Sequence, residues 1–189
     1  MKTEIAPHRL TDEALVKQIV EAKNDLLFAE LYDRYCHMVF NKCYGFTKTT
    51  FEAEDLTQDV FTKLFLKLGS FKGDSKFSTW LYAFTYNLCV DYVNKKVLKK
   101  VEINEVDIVD ESHLQIEVDD YSLFQLKSKK LKTALEMIDP QDKMILLLKY
   151  QDDFSIKTIM QVLEISESAV KMRLKRAKAR IIEAYNALR

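Results

Sequence analysis

Six Lys or Arg and a single acid stand in SESAVKMRLKRAKARI, residues 166–181, of a 189-residue chain whose basic and acidic residues both total 29. Cations at that density either take up phosphates or merely solvate a helix, and their placement around the helix tells the two apart. On a helical wheel, Leu174, Ala177, Ile181, Ala184, Tyr185 and Leu188 fall within about 60° of Val170, which gives a clean core stripe. The opposite side holds Ser168, Met172, Lys175 and Ala179. Lys171 and Lys178 flank it on one edge, Arg173, Arg176 and Arg180 on the other. A small or apolar centre rimmed by cations suits a DNA major groove, where the centre meets base edges and thymine methyls and the rim meets phosphates. A solvated face would intersperse acids for i to i+4 pairing, and none occurs from Ser168 to Ile182.

Two further constellations lie upstream. Trp80, Asn87, Asp91 and Asn94 share one helical face, and Lys95, Lys96, Lys99 and Lys100 follow. Unpaired bases require a flat ring to stack on, amides for base edges and cations for phosphates. Packing of the aromatic residues into a core fits the same spacing. Glu52, Asp55 and Asp59 form an acidic ridge that continues to Leu66, which fits a partner with basic side chains as well as a plain solvated face. Cys36, His37 and Cys43 offer the ligand types of a metal site. Zinc sites usually open with cysteines two to four residues apart, whereas this pair is more widely spaced and no second pair follows. No metal, cofactor or catalytic residue is expected, and the three cysteines suit reduced core thiols.

The elements that hold these residues are helical. With 48% apolar residues but only three Gly and two Pro, the chain can fill a core yet lacks material for the tight turns of a β-rich fold. The start, MKTEIAPHRLTDEAL, has no basic-flanked apolar run, and no uncharged run approaches a membrane span, so a cytoplasmic protein without membrane insertion is expected. Thr11 caps a first helix through about Ala22, and a second covers Leu26 to about Tyr44. FEAEDLTQDVFTKLFLKL, residues 51–68, forms a third with the stripe Ala53, Leu56, Val60, Leu64 and Leu68. Ser70 to Lys76 is a loop, after which Ser78 or Thr79 caps a long helix with Leu81, Phe84, Thr85, Leu88 and Tyr92 in the core.

Charge is zoned. Residues 1–100 carry 15 basic and 13 acidic residues, residues 101–120 none and 8, and residues 121–189 carry 14 and 8. Residues 101–122 therefore read as an acidic linker between a domain at 1–100 and one at 123–189. In the second, a helix runs through Ile138, and Asp139 caps the next with Pro140 in its first position. SIKTIMQVL, a short break at EIS, and the basic helix capped by Ser166 fit a helix-turn-helix.

Together, EAEDLTQDVFTKLFLKLGSF and FSTWLYAFTYNLCVDYVNKK resemble the second conserved region of bacterial sigma factors. ALEMIDPQDKMILLLKY through SAVKMRLKRAKARI resembles the fourth. The order, and the absence of room for further regions, make the chain similar to an extracytoplasmic-function (ECF) sigma factor of the sigma-70 family. That resemblance implies a non-enzymatic promoter-specificity subunit of RNA polymerase, all-α, in two small helical domains.

It also implies roles. Glu52, Asp55, Gln58 and Asp59 would dock on the β′ coiled coil of core polymerase, with a further contact to the β flap. Lys72, Asp74, Ser75, Lys76 and Phe77 of the loop, with Trp80, Asn87 and Lys95, would capture bases of the melted minus-ten element. Ser168, Lys171, Met172, Arg173, Lys175 and Arg176 would read the minus-thirty-five element as duplex. The acidic linker would thread toward the RNA exit channel, and an anti-sigma factor would restrain the whole. Departures from the family pattern are Thr158-Ile159-Met160 for Glu-Ile-Ala, Met172 for Ser, Asn94 for Arg, and Glu164 where the turn usually has Gly. A Glu there can take left-handed backbone at a cost of about 1 kcal/mol. The rival readings are a helix-turn-helix regulator that binds duplex DNA without polymerase, and a helical interaction protein that binds no DNA.

Overall fold

The computed structural model describes residues 10–22, 25–101 and 128–188. The acidic linker expected at 101–122 lies, from residue 102 onward, outside them. Among the described residues all regular structure is helical: α1 (Asp12–Ala22), α2 (Asp25–Phe46), α3 (Thr50–Lys67), α4 (Phe77–Val101), α5 (Ser128–Met137), α6 (Pro140–Leu146), α7 (Ile156–Leu163) and α8 (Glu167–Ala187). The chain divides between Val93 and Asn94 into two units.

In the first unit, α1 and α3 pack on α2. The α3 stripe is buried as its period demands: Ala53, Leu56, Val60, Leu64 and Leu68 are all in the core. Phe61 is buried too, because the α2 rings Phe28 and Tyr32 meet it at 6.4 and 4.5 Å between centroids. Thr11 caps α1, with its hydroxyl 3.3 Å from the Ala14 amide. On α4, Leu81 and Thr85 are buried as expected, but so are Tyr86 and Cys89, so the helix is covered on more than one side. Cys89 and Cys43 are not joined in a disulfide, and their sulfurs lie 4.0 Å apart. The hydrogen bond from Cys89 holds the Cys43 thiol below its ordinary pKa, against the opposing effect of burial.

The long helix starts earlier than Ser78 or Thr79 would place it. It begins at Phe77, whose amide donates to Glu13 Oε1 at 3.0 Å. Glu13 belongs to α1, so the group that completes this helix end is distant in sequence.

In the second unit, α8 packs against α5, α6 and α7. Asp139 caps α6 through the Gln141 amide at 2.7 Å, with Pro140 following. The helix then widens into a π-type turn over Leu147–Gln151. Ser155 caps α7 through the Thr158 amide at 3.0 Å, and Ser166 caps α8 through the Ala169 amide at 3.3 Å. Between them Glu164 adopts φ 53° and ψ 39°, left-handed backbone. The Ile165 amide closes onto the Met160 carbonyl at 3.3 Å, so the turn is hydrogen-bonded despite its non-glycine residue.

Candidate nucleic-acid interface

The orientation of the basic helix α8 is set by its core side. Val170, Leu174, Ala177 and Ile181 are buried, which turns Ser168, Lys171, Met172, Lys175 and Arg176 outward, with Met172 56% exposed. Arg173 is half-buried at the edge. The Ser168 hydroxyl lies 3.0 Å from that of the capping Ser166, which ties the start of the exposed face to the turn.

The structure corrects the wheel at two places. Ala179 is not on the outer face but buried, because α8 in its second half is covered by neighbouring helices on more than one side. Arg180 is not a rim cation: its Nη1 pairs with Asp142 Oδ2 of α6 at 2.6 Å. Lys171 does meet an acid, Glu167, at 2.6 Å and one helical turn back, just before the acid-free stretch begins. That hydrogen bond, and the attraction that accompanies it, hold the Glu167 carboxyl below its usual pKa. The exposed face of α8 is therefore narrower and less charged than the sequence count of cations suggests.

In the first unit, the loop before α4 turns at Gly73, whose φ of 79° favours glycine. Lys72, Asp74 and Lys76 are exposed, and Ser75 is half-buried with its hydroxyl 3.3 Å from the Lys76 carbonyl. Phe77 is fully buried. It offers no surface to a base, and its ring instead supports the site from below, 5.9 Å from Trp80 and 5.4 Å from Phe71. Trp80 is half-buried, stacked on Phe84 at 5.4 Å and 17°, with Phe71 at 5.6 Å. Phe71 and Phe84 thus flank Trp80 in one ring cluster, and Phe84, expected in the core, is half-buried. Its i+4 spacing from Trp80 was the available signal. Further along α4, Asn87, Asp91, Asn94, Lys95 and Lys96 are exposed; the side chains of Lys99 and Lys100 lie outside the described set.

On α3, Asp55 and Gln58 are exposed. Glu52 is half-buried and acts in the helix cap: its carboxylate accepts the Lys48 amide at 3.0 Å while its own amide donates to the Thr49 hydroxyl at 3.2 Å. Asp59 pairs with Lys63 at 2.5 Å. Leu66 continues the ridge, 77% exposed, so an apolar group does stand beside the acids. Among the described residues no three His, Cys, Asp or Glu side chains converge as a metal site, and no helix is long and apolar enough to cross a membrane.

The first helical unit thus carries an acidic ridge and a ring cluster, and the second a helix-turn-helix with a basic second helix. The sigma-70 region 2 family model matches residues 31–98, and the sigma-70 region 4 model matches residues 128–181. The chain is 28% identical over 172 residues to the ECF RNA polymerase sigma factor SigW of Bacillus subtilis, covering 86% of this chain and 90% of that protein. It is 25% identical over 181 residues to the ECF RNA polymerase sigma-E factor of Escherichia coli, covering 92% and 93%. The fold is similar to that of CnrH, solved in complex with the cytosolic domain of CnrY, with a TM-score of 0.63, 20% identity, and coverage of 94% of this chain and 99% of that one. It is also similar to the sigma factor RpoE from Bartonella quintana, solved with the anti-sigma factor NepR, with a TM-score of 0.57, 22% identity, and coverage of 86% and 98%. The chain belongs to the sigma-70 family, in its extracytoplasmic-function group. It is a non-enzymatic factor that directs RNA polymerase in promoter recognition and transcription initiation.

Proposed function

We propose that this factor works through separate surfaces on two functional domains, residues 1–100 and 123–189, joined by the acidic linker 101–122. Asp55 and Gln58, flanked by Glu52, Asp59 and Leu66, dock on the β′ coiled coil of core polymerase. Lys72, Asp74, Ser75 and Lys76 of the loop, with Trp80, Asn87 and Lys95, hold the melted minus-ten strand, and Phe77 supports them from the core. Ser168, Lys171, Met172, Arg173, Lys175 and Arg176 read the minus-thirty-five duplex.

An apolar hollow of about 400 Å³ lined by Leu131, Leu135, Leu146, Leu147, Tyr150 and Ile181 is the surface assigned to the β flap. The linker's eight acids suit a basic channel of the polymerase. An anti-sigma factor is the expected antagonist, an expectation supported by the Bartonella quintana neighbour, which was solved with one. The protein would act in the cytoplasm, where core polymerase is.

Opening a promoter costs about 1.4 kcal/mol of stacking per base-pair step, and one base stacked on an aromatic ring recovers about 1–3 kcal/mol. Binding energy is the factor's whole contribution to that step. The observation that carries the reading is the half-buried Trp80 on its Phe71 and Phe84 supports, a stacking surface that a regulator of intact duplex would not need. Run-off transcription with purified core polymerase on genomic fragments tests it. Specific transcripts should appear only with the factor present, and failure to initiate on any fragment would refute it.

A further inference from the structure

We infer that Glu13 is a positioning residue for the loop that reads the melted strand, an inference that rests on the assignment of that loop above. A helix leaves its first amides without intrahelical partners, and a reading surface at a helix start is only as well placed as those amides are held. The Trp80 amide reaches back to the Lys76 carbonyl at 3.2 Å, so the first turn of α4 carries the ring platform directly. The Phe77 amide in the same turn is taken by Glu13 Oε1 at 3.0 Å. The loop's own Ser75 hydroxyl is directed at a carbonyl, that of Lys76.

The helix turn that carries Glu13 is itself held. The neighbouring Asp12 accepts Arg34 Nη1 at 2.8 Å and the Tyr35 hydroxyl at 2.5 Å, both from α2. Arg34 is braced further by Glu30 at 2.9 Å and the Leu10 carbonyl at 2.9 Å. The Tyr35 ring then meets Phe77 edge-on at 5.6 Å. The first turn of α1 therefore bridges α2 to the start of α4 through two adjacent carboxylates, and it places Phe77, on which Trp80 and Phe71 rest. Asp12 and Glu13 precede the matched residues 31–98, so the region 2 match assigns them nothing. Their side chains touch no base in this scheme. They fix the loop through the backbone of α4.

The test uses the full chain on core polymerase with a promoter obtained by run-off selection, and compares Glu13→Ala, Glu13→Gln and Trp80→Ala with the wild type. Affinity for core polymerase, thermal midpoint, and the rate of strand opening on fully paired and pre-melted minus-ten DNA are measured. Loss of a helix-end acceptor corresponds to about a five-fold loss of the correctly formed turn. Glu13→Ala should therefore open paired promoter about five-fold more slowly and discriminate minus-ten bases less well on pre-melted DNA, with core affinity unchanged. Glu13→Gln keeps an oxygen acceptor and should recover most of the rate.

Opening at the wild-type rate by Glu13→Ala while Trp80→Ala is slow would overturn the role of Glu13 alone. Equal losses of opening, core affinity and thermal midpoint would overturn it as well, by showing a merely structural contact. Normal opening by both Ala variants would remove the loop assignment and this inference together.

Discussion

Arg180 Nη1 lies 2.6 Å from Asp142 Oδ2, and the pair joins the basic helix α8 to α6 with side chains only 30% and 11% exposed. Removing one partner of such a pair leaves the other half-desolvated without compensation, which costs more than the pair itself contributes. Asp142→Ala should destabilise the second unit by about 1–3 kcal/mol, seen as a lower urea midpoint. The double variant with Arg180→Ala should lose less than the sum of the two singles. Because Arg180 is engaged within the fold, Arg180→Ala should leave the salt dependence of DNA binding unaltered; a slope reduced by about one would show it to be a phosphate contact instead.

Glu164 carries the helix-turn-helix through left-handed backbone with a side chain that disfavours it. Glycine adopts that region freely, whereas a β-branched residue there is a genuine outlier. Glu164→Gly should raise stability by up to about 1 kcal/mol, and Glu164→Val should lower it by more than that, both read from urea unfolding of the full chain. An unfolding midpoint lowered by the glycine would contradict the strain argument.

These two sites mark where the sequence was legible and where it was not. The α3 stripe and the caps of Thr11, Asp139 and Ser166 obey local rules, a helical period or a side chain reaching two or three residues ahead, and one chain suffices to see them. Ala179, Arg180 and Tyr86 depend on which sides of a helix its neighbours cover, and a wheel carries no such information. The start of α4 lies before Ser78 and Thr79 for a related reason, since the acceptor of its first amide, Glu13, comes from another helix. The outward placement of Met172, Lys175, Asn87 and Asp55 was legible because it follows from a correctly placed core stripe. Phe77 was not: an aromatic residue in a polar loop looks like a ligand contact until its burial is known.

Tyr35 gives the first unit a dependence on alkaline pH. Burial, and then the hydrogen bond to Asp12, push its phenol well above the ordinary value of about 10. In the unfolded chain that phenol ionises near the ordinary value, while in the fold it keeps its proton. The folded state therefore binds more protons above about pH 10, and stability falls as pH rises from there. Urea midpoints at about pH 9 and about pH 11 should differ in the wild type and differ less in Tyr35→Phe. An identical decline in the two proteins would assign the alkaline loss to other groups.

Met172 and Arg176 stand on the same exposed face of α8 and should fail in different ways. Arg176 is the exposed cation proposed above to meet phosphate. Its loss should weaken binding to all sequences alike and reduce the slope of log affinity against log salt by about 0.9. Met172 is uncharged and more than half exposed at the centre, so it releases no counterion and acts only on what the base edges offer. Met172→Ala should keep the salt slope and change the ranking of minus-thirty-five sequences, by about 1–3 kcal/mol at the base pair it meets. Competition binding with single-base variants of one promoter, at two salt concentrations, separates these effects. A uniform loss for Met172→Ala would move sequence readout away from the centre of the helix and onto its cationic rim.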